Sequence, residues 1–366
     1  MSARPPEPSG AKLAVELAFV LAAALAGGAA LAALGVPAGW LSGAMIGVAA
    51  LAAVGRAAPL PQVLRQLAIV MAGVGMGSGM TPAALHTLAR YPASLALMAV
   101  ALAAMTGASY FVLARSRGFS RATALYSAVP GALSYVFIVA APAGADMPRL
   151  AVIQVFRIFV LMALVPLVAR VGIAIPPAHY AVDPVTWTAG LVALGWLLGT
   201  ALESCGVSNG MLYAAIAVSG LAHGLGWAPG RLAIPLQVVA QVLIGAWIGT
   251  RFIGFDWGLL HRTLIAAVTS FLAAFAVAAS FAWLAALVVN VPFAEALIAF
   301  APGGLEAMTL MAFALGLDPL FVGSHHLARF FIISLALPLV ARRLAASGSQ
   351  DALPAVHGLN SRTPQA

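Results

Sequence analysis

Residues 127–170 read SAVPGALSYVFIVAAPAGADMPRLAVIQVFRIFVLMALVPLVAR, and residues 299–342 read AFAPGGLEAMTLMAFALGLDPLFVGSHHLARFFIISLALPLVAR. Laid over each other 172 positions apart, Pro130 meets Pro302, Gly131 meets Gly303, Leu133 meets Leu305, Gly144 meets Gly316, Asp146 meets Asp318, Arg157 meets Arg329, Pro166 meets Pro338 and Arg170 meets Arg342. That many special residues in register argue for an internal duplication. Each copy holds a Pro-Gly break in an apolar run, then an Asp at the mouth of a long helix, then a lone Arg. At 1.5 Å rise per residue, the Arg lies roughly 15 Å beyond the Asp, near the middle of a bilayer. A charge at that depth is expensive and marks a candidate functional site.

The match extends outward. GVPAGWLSGAM from Gly35 lies over GVSNGMLYAAI from Gly206, and GVGMGSGM from Gly73 lies over GAWIGTRF from Gly245. Apolar runs fall at 14–34, 38–55, 62–80, 91–114, 121–143 and 147–169, and again at 185–203, 209–225, 234–252, 263–290, 293–315 and 319–341. The fold class expected is all-α: a polytopic transmembrane bundle of about 10–12 membrane segments, in two sequence-related repeats with discontinuous helices at the Pro-Gly breaks. The organisation expected is a disordered tail at 1–13, repeat 1 at 14–170, a linker at 171–184, repeat 2 at 185–343 and a disordered tail at 344–366.

Composition agrees. With 63% hydrophobic and 8% charged residues and a mean hydropathy of +1.04, the chain cannot cover a globule with polar surface, so its solvent is lipid. The net charge of +8 would point a soluble protein toward nucleic acid. Here the cations punctuate apolar runs as loop charges, and nucleic acid is excluded as a partner. Cys205 is alone, so neither an intrachain disulfide nor a Cys-based metal site is expected.

Parity decides how the halves are related. If each Pro-Gly segment crosses fully, there are six spans per half and the halves are parallel; if it enters and leaves on one side, there are five and they are inverted. The connection after the fourth run carries Arg115, Arg117 and Arg121, whereas its partner near Asn290 carries no cation and has Glu295. The connection after the third run shows the reverse, with Arg90 against Arg251 and Arg262. Equivalent loops that exchange charge belong on opposite sides, which favours inversion. Both schemes put the two termini in the cytoplasm.

Pro130-Gly131 and Pro302-Gly303-Gly304 free backbone groups that must be buried in protein or line a cavity. Matching broken helices in two halves point to a midplane transport site; two plain kinks are the alternative. Glu306, with Ser134 as its counterpart, follows its break at an open helix N-terminus, where it either accepts a proton or cation or caps the half-helix. Asp146 and Asp318 suit helix caps. Arg157 and Arg329 face the bundle interior and meet a carboxylate, backbone carbonyls or an anionic ligand, and a structural pair of Arg329 with Glu306 competes with substrate binding. His325, His326 and Gln154 complete a polar stripe, either proton-coupling or hydrogen-bonded core. The seven His are scattered apart from His325-His326 and no His-Glu-x-x-His is present, so no metal or other cofactor is expected. No nucleophile-base-acid set is recognisable, so no catalytic residue is expected and the chain is read as a non-enzyme. The glycines at 73, 75, 77 and 79 lack a following Gly-Lys-Ser/Thr and read as close helix packing.

The duplicated PGxL[SE]…GxD…R…P pattern, with GVPAGWLSGA and the glycine-rich third run, resembles the bacterial AbrB duplication family of inner-membrane proteins over nearly the whole chain. Members carry labels such as "AbrB family transcriptional regulator" and "ammonia monooxygenase". The resemblance implies a multi-pass inner-membrane location and an effect on gene expression, and the second label implies copper or iron chemistry, for which the sequence offers no His cluster. The small soluble DNA-binding regulator of the same name is a different protein. Ala132 and Ser134 depart from the pattern in the first copy, where the second has Gly304 and Glu306. The reading is a secondary transporter or permease of a small solute or ion in the lipid bilayer, with homo-oligomerisation left open; the alternative is a membrane ligand sensor, and a metal-dependent membrane monooxygenase is third.

Overall fold

The computed structural model describes residues 10–78, 91–131, 133–169, 181–207, 209–228 and 230–348. Among them the regular structure is helical: α1 Gly10–Ala33, α2 Gly39–Ala53, α3 Gln62–Gly77, α4 Tyr91–Ala114, α5 Arg121–Ala128, α6 Leu133–Ala140 and α7 Met147–Ala169. Then come α8 Val185–Ser204, α9 Gly210–Gly224, α10 Ile234–Gly249, α11 Trp257–Val289, α12 Phe293–Phe300, α13 Leu305–Ala314 and α14 Pro319–Gly348. Seven helices are long and apolar enough to cross a membrane, and 39–53, 62–77 and 210–224 are shorter apolar helices. One isolated bridge joins Val182 to Arg231.

Helix bounds recur at a spacing of 171–172 residues, as in α2 with α9 and α5 with α12. Left-handed backbone recurs in the same register: Gly35 with Gly206, Ala38 with Asn209, Gly55 with Gly226 and Gly144 with Gly316 all have positive φ. A left-handed alanine is uncommon. That Ala38 shares this conformation with Asn209 means the two turns have the same path despite different side chains. Packing follows the same pairing, with α2 against α10 as α3 lies against α9.

Proline explains the breaks. The residue before a proline is driven out of the helical region, and Val129 (φ −60°, ψ 122°) and Ala301 (φ −55°, ψ 139°) end α5 and α12 in extended backbone. Each broken segment then folds back on itself. Asp146 N donates to Thr123 Oγ1 at 2.9 Å, so the start of α7 lies level with the start of α5. Deeper in, Gln154 Nε2 donates to the carbonyls of Tyr126 and Val129 at 3.1 and 3.0 Å, so α5 and α7 run side by side in one direction. α6 must therefore return the chain to the end where α5 began. The second half repeats this: Asp318 N donates to Glu295 Oε2 at 3.2 Å and His326 Nε2 to the Ile298 carbonyl at 3.0 Å.

The two hairpins enter from opposite ends. At the start of α4, Tyr91 donates its hydroxyl to Asp318 Oδ2 at 2.8 Å. Beyond its far end, a methyl group placed on Gly118 would lie 3.0 Å from Arg149 Nη2. The 24 residues of α4 separate these points by about 36 Å. Cysteines replacing Arg117 and Asn290, both exposed, in a Cys205→Ser background should therefore react with a membrane-impermeant maleimide from opposite sides. Labelling of both from one side would refute this arrangement.

Small residues let the helices approach closely within the core. α4 and α11 pack through Met98, Ala101 and Met105 against Ala274, Ala278 and Ala282. Gly77 sets α3 on α9, where an added methyl would stand 2.7 Å from the Ile216 carbonyl oxygen.

Two boundaries differ from expectation. α1 begins at Gly10, inside the expected tail, and α14 continues to Gly348, past residue 343. The extensions read GAKL at 10–13 and LAASG at 344–348, and Ala, Leu and Lys in them favour helix beyond the end of the apolar run. The remainder of both tails and most of the 171–184 segment lie outside the described residues.

Candidate functional site

A helix leaves its last carbonyls without partners, and at the end of a half-helix in mid-bundle they need donors from elsewhere in the protein or from a cavity. Two buried arginines do this work. Arg157 Nη2 donates to the Val129 carbonyl at 2.9 Å, and Nη1 reaches those of Ser127 and Ala128 at 3.4 Å. Gln154 accepts from Arg157 and donates to the same turn. In the other half, Arg329 donates to the Ala301 carbonyl at 2.6 Å and to that of Gly303 at 3.0 Å. His326, donating through Nε2 to Ile298, presents Nδ1 as an acceptor to Arg329. A guanidinium there also meets the negative end of the helix dipole. Arg157 and Arg329 are 3% and 2% exposed, too deep to reach headgroups. Of the partners open from the sequence, both arginines have taken backbone carbonyls; among the described residues neither has a carboxylate in ion-pair range.

The breaks meet. A methyl group on Gly131, whose φ is +83°, would lie 3.5 Å from the Gly303 carbonyl oxygen and 3.7 Å from Arg329 Nε. They close the inner end of a cavity of about 440 Å³, whose inner wall includes Pro130, Gly131, Gly303, Gly304, His326 and Arg329. Gln154 also lines it. At the other end stand Arg65, Glu203, Asn209, Trp247 and Arg251, from helices far apart in sequence. Arg65 and Arg251 lie 5.4 and 5.2 Å from the Trp247 ring centre, in cation–π range. Glu203 Oε1 accepts from Met211 N at 3.5 Å, near the start of α9.

Not every expected residue joins. His325 turns Nδ1 back to the Phe321 carbonyl at 2.7 Å and packs among Phe300, Phe321 and Tyr91, away from the cavity lining. Pro302 is buried at the break behind that lining. Asp146 accepts from Arg149 N at 3.0 Å and pairs with its guanidinium; Asp318 accepts from Leu320 N at 2.8 Å, and both sit as helix caps. The side chains of Ser134 and Glu306 lie outside the described residues, so the pairing of Arg329 with Glu306 does too. Arg251 is visible in the sequence only as a loop charge, and Arg65 does not stand out; nothing local connects either to the breaks.

A protein-family model described as "Transition state regulatory protein AbrB" matches residues 40–345, from α2 into α14. The chain belongs to the AbrB family. That match includes both AbrB-family hairpins and every lining residue of the cavity. The chain is also similar to the Bacillus subtilis (strain 168) protein described as "Uncharacterized protein YhjN", with 24% identity over 363 residues, covering 89% of this chain and 92% of the other.

Proposed function

We propose that this AbrB-family membrane protein is a secondary transporter whose small solute binds where the two broken helices meet, with access alternating between the two sides. The observation that carries this reading is the cavity that runs from one end of the bundle and stops at the paired breaks. Its volume lies in the range of small-molecule sites. The seven long and three shorter apolar helices make ten crossings, and the two hairpins make none, which gives inverted repeats of 14–170 and 185–343.

Orientation follows from charge. Arg115, Arg117 and Arg121 lie at the end of the bundle where α4 finishes and α5 begins, near Arg149, and the mouth residues Arg65 and Arg251 belong to the same end. Among the described residues, Arg231 marks the other end. The arginine-rich end, with both termini, then faces the cytoplasm, and the cavity is open inward. No enzymatic step or cofactor is involved; the partners are the bilayer and the solute. Glu306, at the start of α13, is the coupling carboxylate, taking up a proton or cation.

The test is flux in proteoliposomes across a solute panel, comparing wild type with Glu306→Gln and Arg329→Ala. Expected is uptake by wild type with at least tenfold loss in both variants, a cost in the range of one charged hydrogen bond. The family description, with its word "regulatory", favours one further reading, a ligand sensor that influences gene expression without transport. Saturable binding with no flux of any solute would support that reading over ours.

A further inference from the structure

The electrostatics of the cavity carry a statement about what enters it. At the paired breaks, two half-helices end and two begin. The C-terminal dipole ends of α5 and α12 are offset by the N-terminal ends of α6 and α13, each worth about half a charge. Both guanidiniums hold backbone carbonyls of the breaks, and of the two it is Arg329 that lines the cavity. Arg329 spends its Nη atoms on carbonyls and His326, and its Nε lies 3.7 Å from a methyl group placed on Gly131, at the closed end of the cavity. Toward the mouth, Arg251 lines the wall and Arg65 holds a buried Nε that bonds to nothing. Glu203 is the one carboxylate lining the cavity among the described residues, and it is engaged near α9. Among the described lining residues, one carboxylate stands against three arginines, Arg65, Arg251 and Arg329.

Resting on the transport reading of the same cavity, we propose that its solute is a small anion, a carboxylate or an inorganic oxyanion, drawn in past Arg65 and Arg251 and held against Arg329. Guanidinium groups suit both because their fork matches planar and tetrahedral oxygens. Low dielectric around the closed end strengthens the attraction, and cations of similar size are repelled.

The test uses the full chain purified in a neutral detergent, with binding read by isothermal titration calorimetry. Succinate, citrate, inorganic phosphate and sulfate form the anion arms; choline and glucose are the cationic and neutral controls. At least one anion should bind saturably, more weakly as salt rises, and the controls should not. The mouth variant Arg65→Gln/Arg251→Gln should bind that anion about tenfold more weakly. If Arg329→Gln folds, it should lose binding; if it does not, the mouth variant still decides. Binding by the carboxylates alone or by the oxyanions alone separates the two sources. Binding of choline or glucose in preference to all anions overturns the proposal, as does an anion affinity indifferent to the mouth variant. Anion binding without flux keeps the inference and removes the transport reading, whereas flux of a cation does the opposite.

Discussion

Arg329→Ala is expected to loosen the bundle by about 3 kcal/mol or more, seen as an earlier midpoint in SDS unfolding followed by far-UV circular dichroism. The guanidinium is donor to the Ala301 and Gly303 carbonyls at once, and each would be stranded in a water-poor interior. Arg157→Ala should cost less. Gln154 continues to donate to Tyr126 and Val129 when that arginine is gone, whereas His326 holds only Ile298. Arg329→Lys should recover only part of the loss, because an ammonium is a point charge and lacks the fork that spans two carbonyls. Equal losses for Arg157→Ala and Arg329→Ala would refute this division of labour.

Gly245→Leu should be among the most damaging single changes outside the breaks. A Cβ there would stand 2.3 Å from the Leu41 carbonyl oxygen and 2.9 Å from Ala44 Cβ, so α10 and α2 would have to separate. Overpacking of this kind costs about 1–3 kcal/mol when side chains can yield, and backbone cannot yield cheaply. The expected result is loss of the monodisperse peak in detergent size exclusion, with Gly245→Ala intermediate. Gly190→Leu serves as control, because nothing lies within 4 Å of a methyl group at that position. Indifference at 245 would mean that α2 and α10 are not held backbone to backbone.

Much of the site was legible where the sequence used residues with no substitute. A proline dictates the conformation of its predecessor, so the breaks at Val129 and Ala301 could be read directly. An arginine buried in mid-helix must find acceptors, and an unpaired helix end nearby offers them. Direction was harder. Hydropathy measures how apolar a run is and not where it returns, so 121–143 read equally well as a crossing or a hairpin; the hydrogen bond from Asp146 N to Thr123 brings the two ends of the segment together. His325 was open to two readings for a related reason. It shares a helix face with Arg329 in projection, yet the aromatic slot of Phe300, Phe321 and Tyr91 draws it away. Arg65, Trp247 and Arg251 could not be assigned to the site, because the distances that unite them are set by packing between α3 and α10.

The duplication is unequal at the vestibule. In register with Arg65 and Arg251 stand Gln237 and Gly79, so the equivalent approach from the far side carries neither cation. On an alternating cycle, capture from the cytoplasm would be accelerated by long-range attraction and capture from outside would rely on plain diffusion. If the proposed transport takes place, the protein would act as a rectifier, its inward and outward half-reactions differing in ionic-strength dependence although the scaffold performing them is the same.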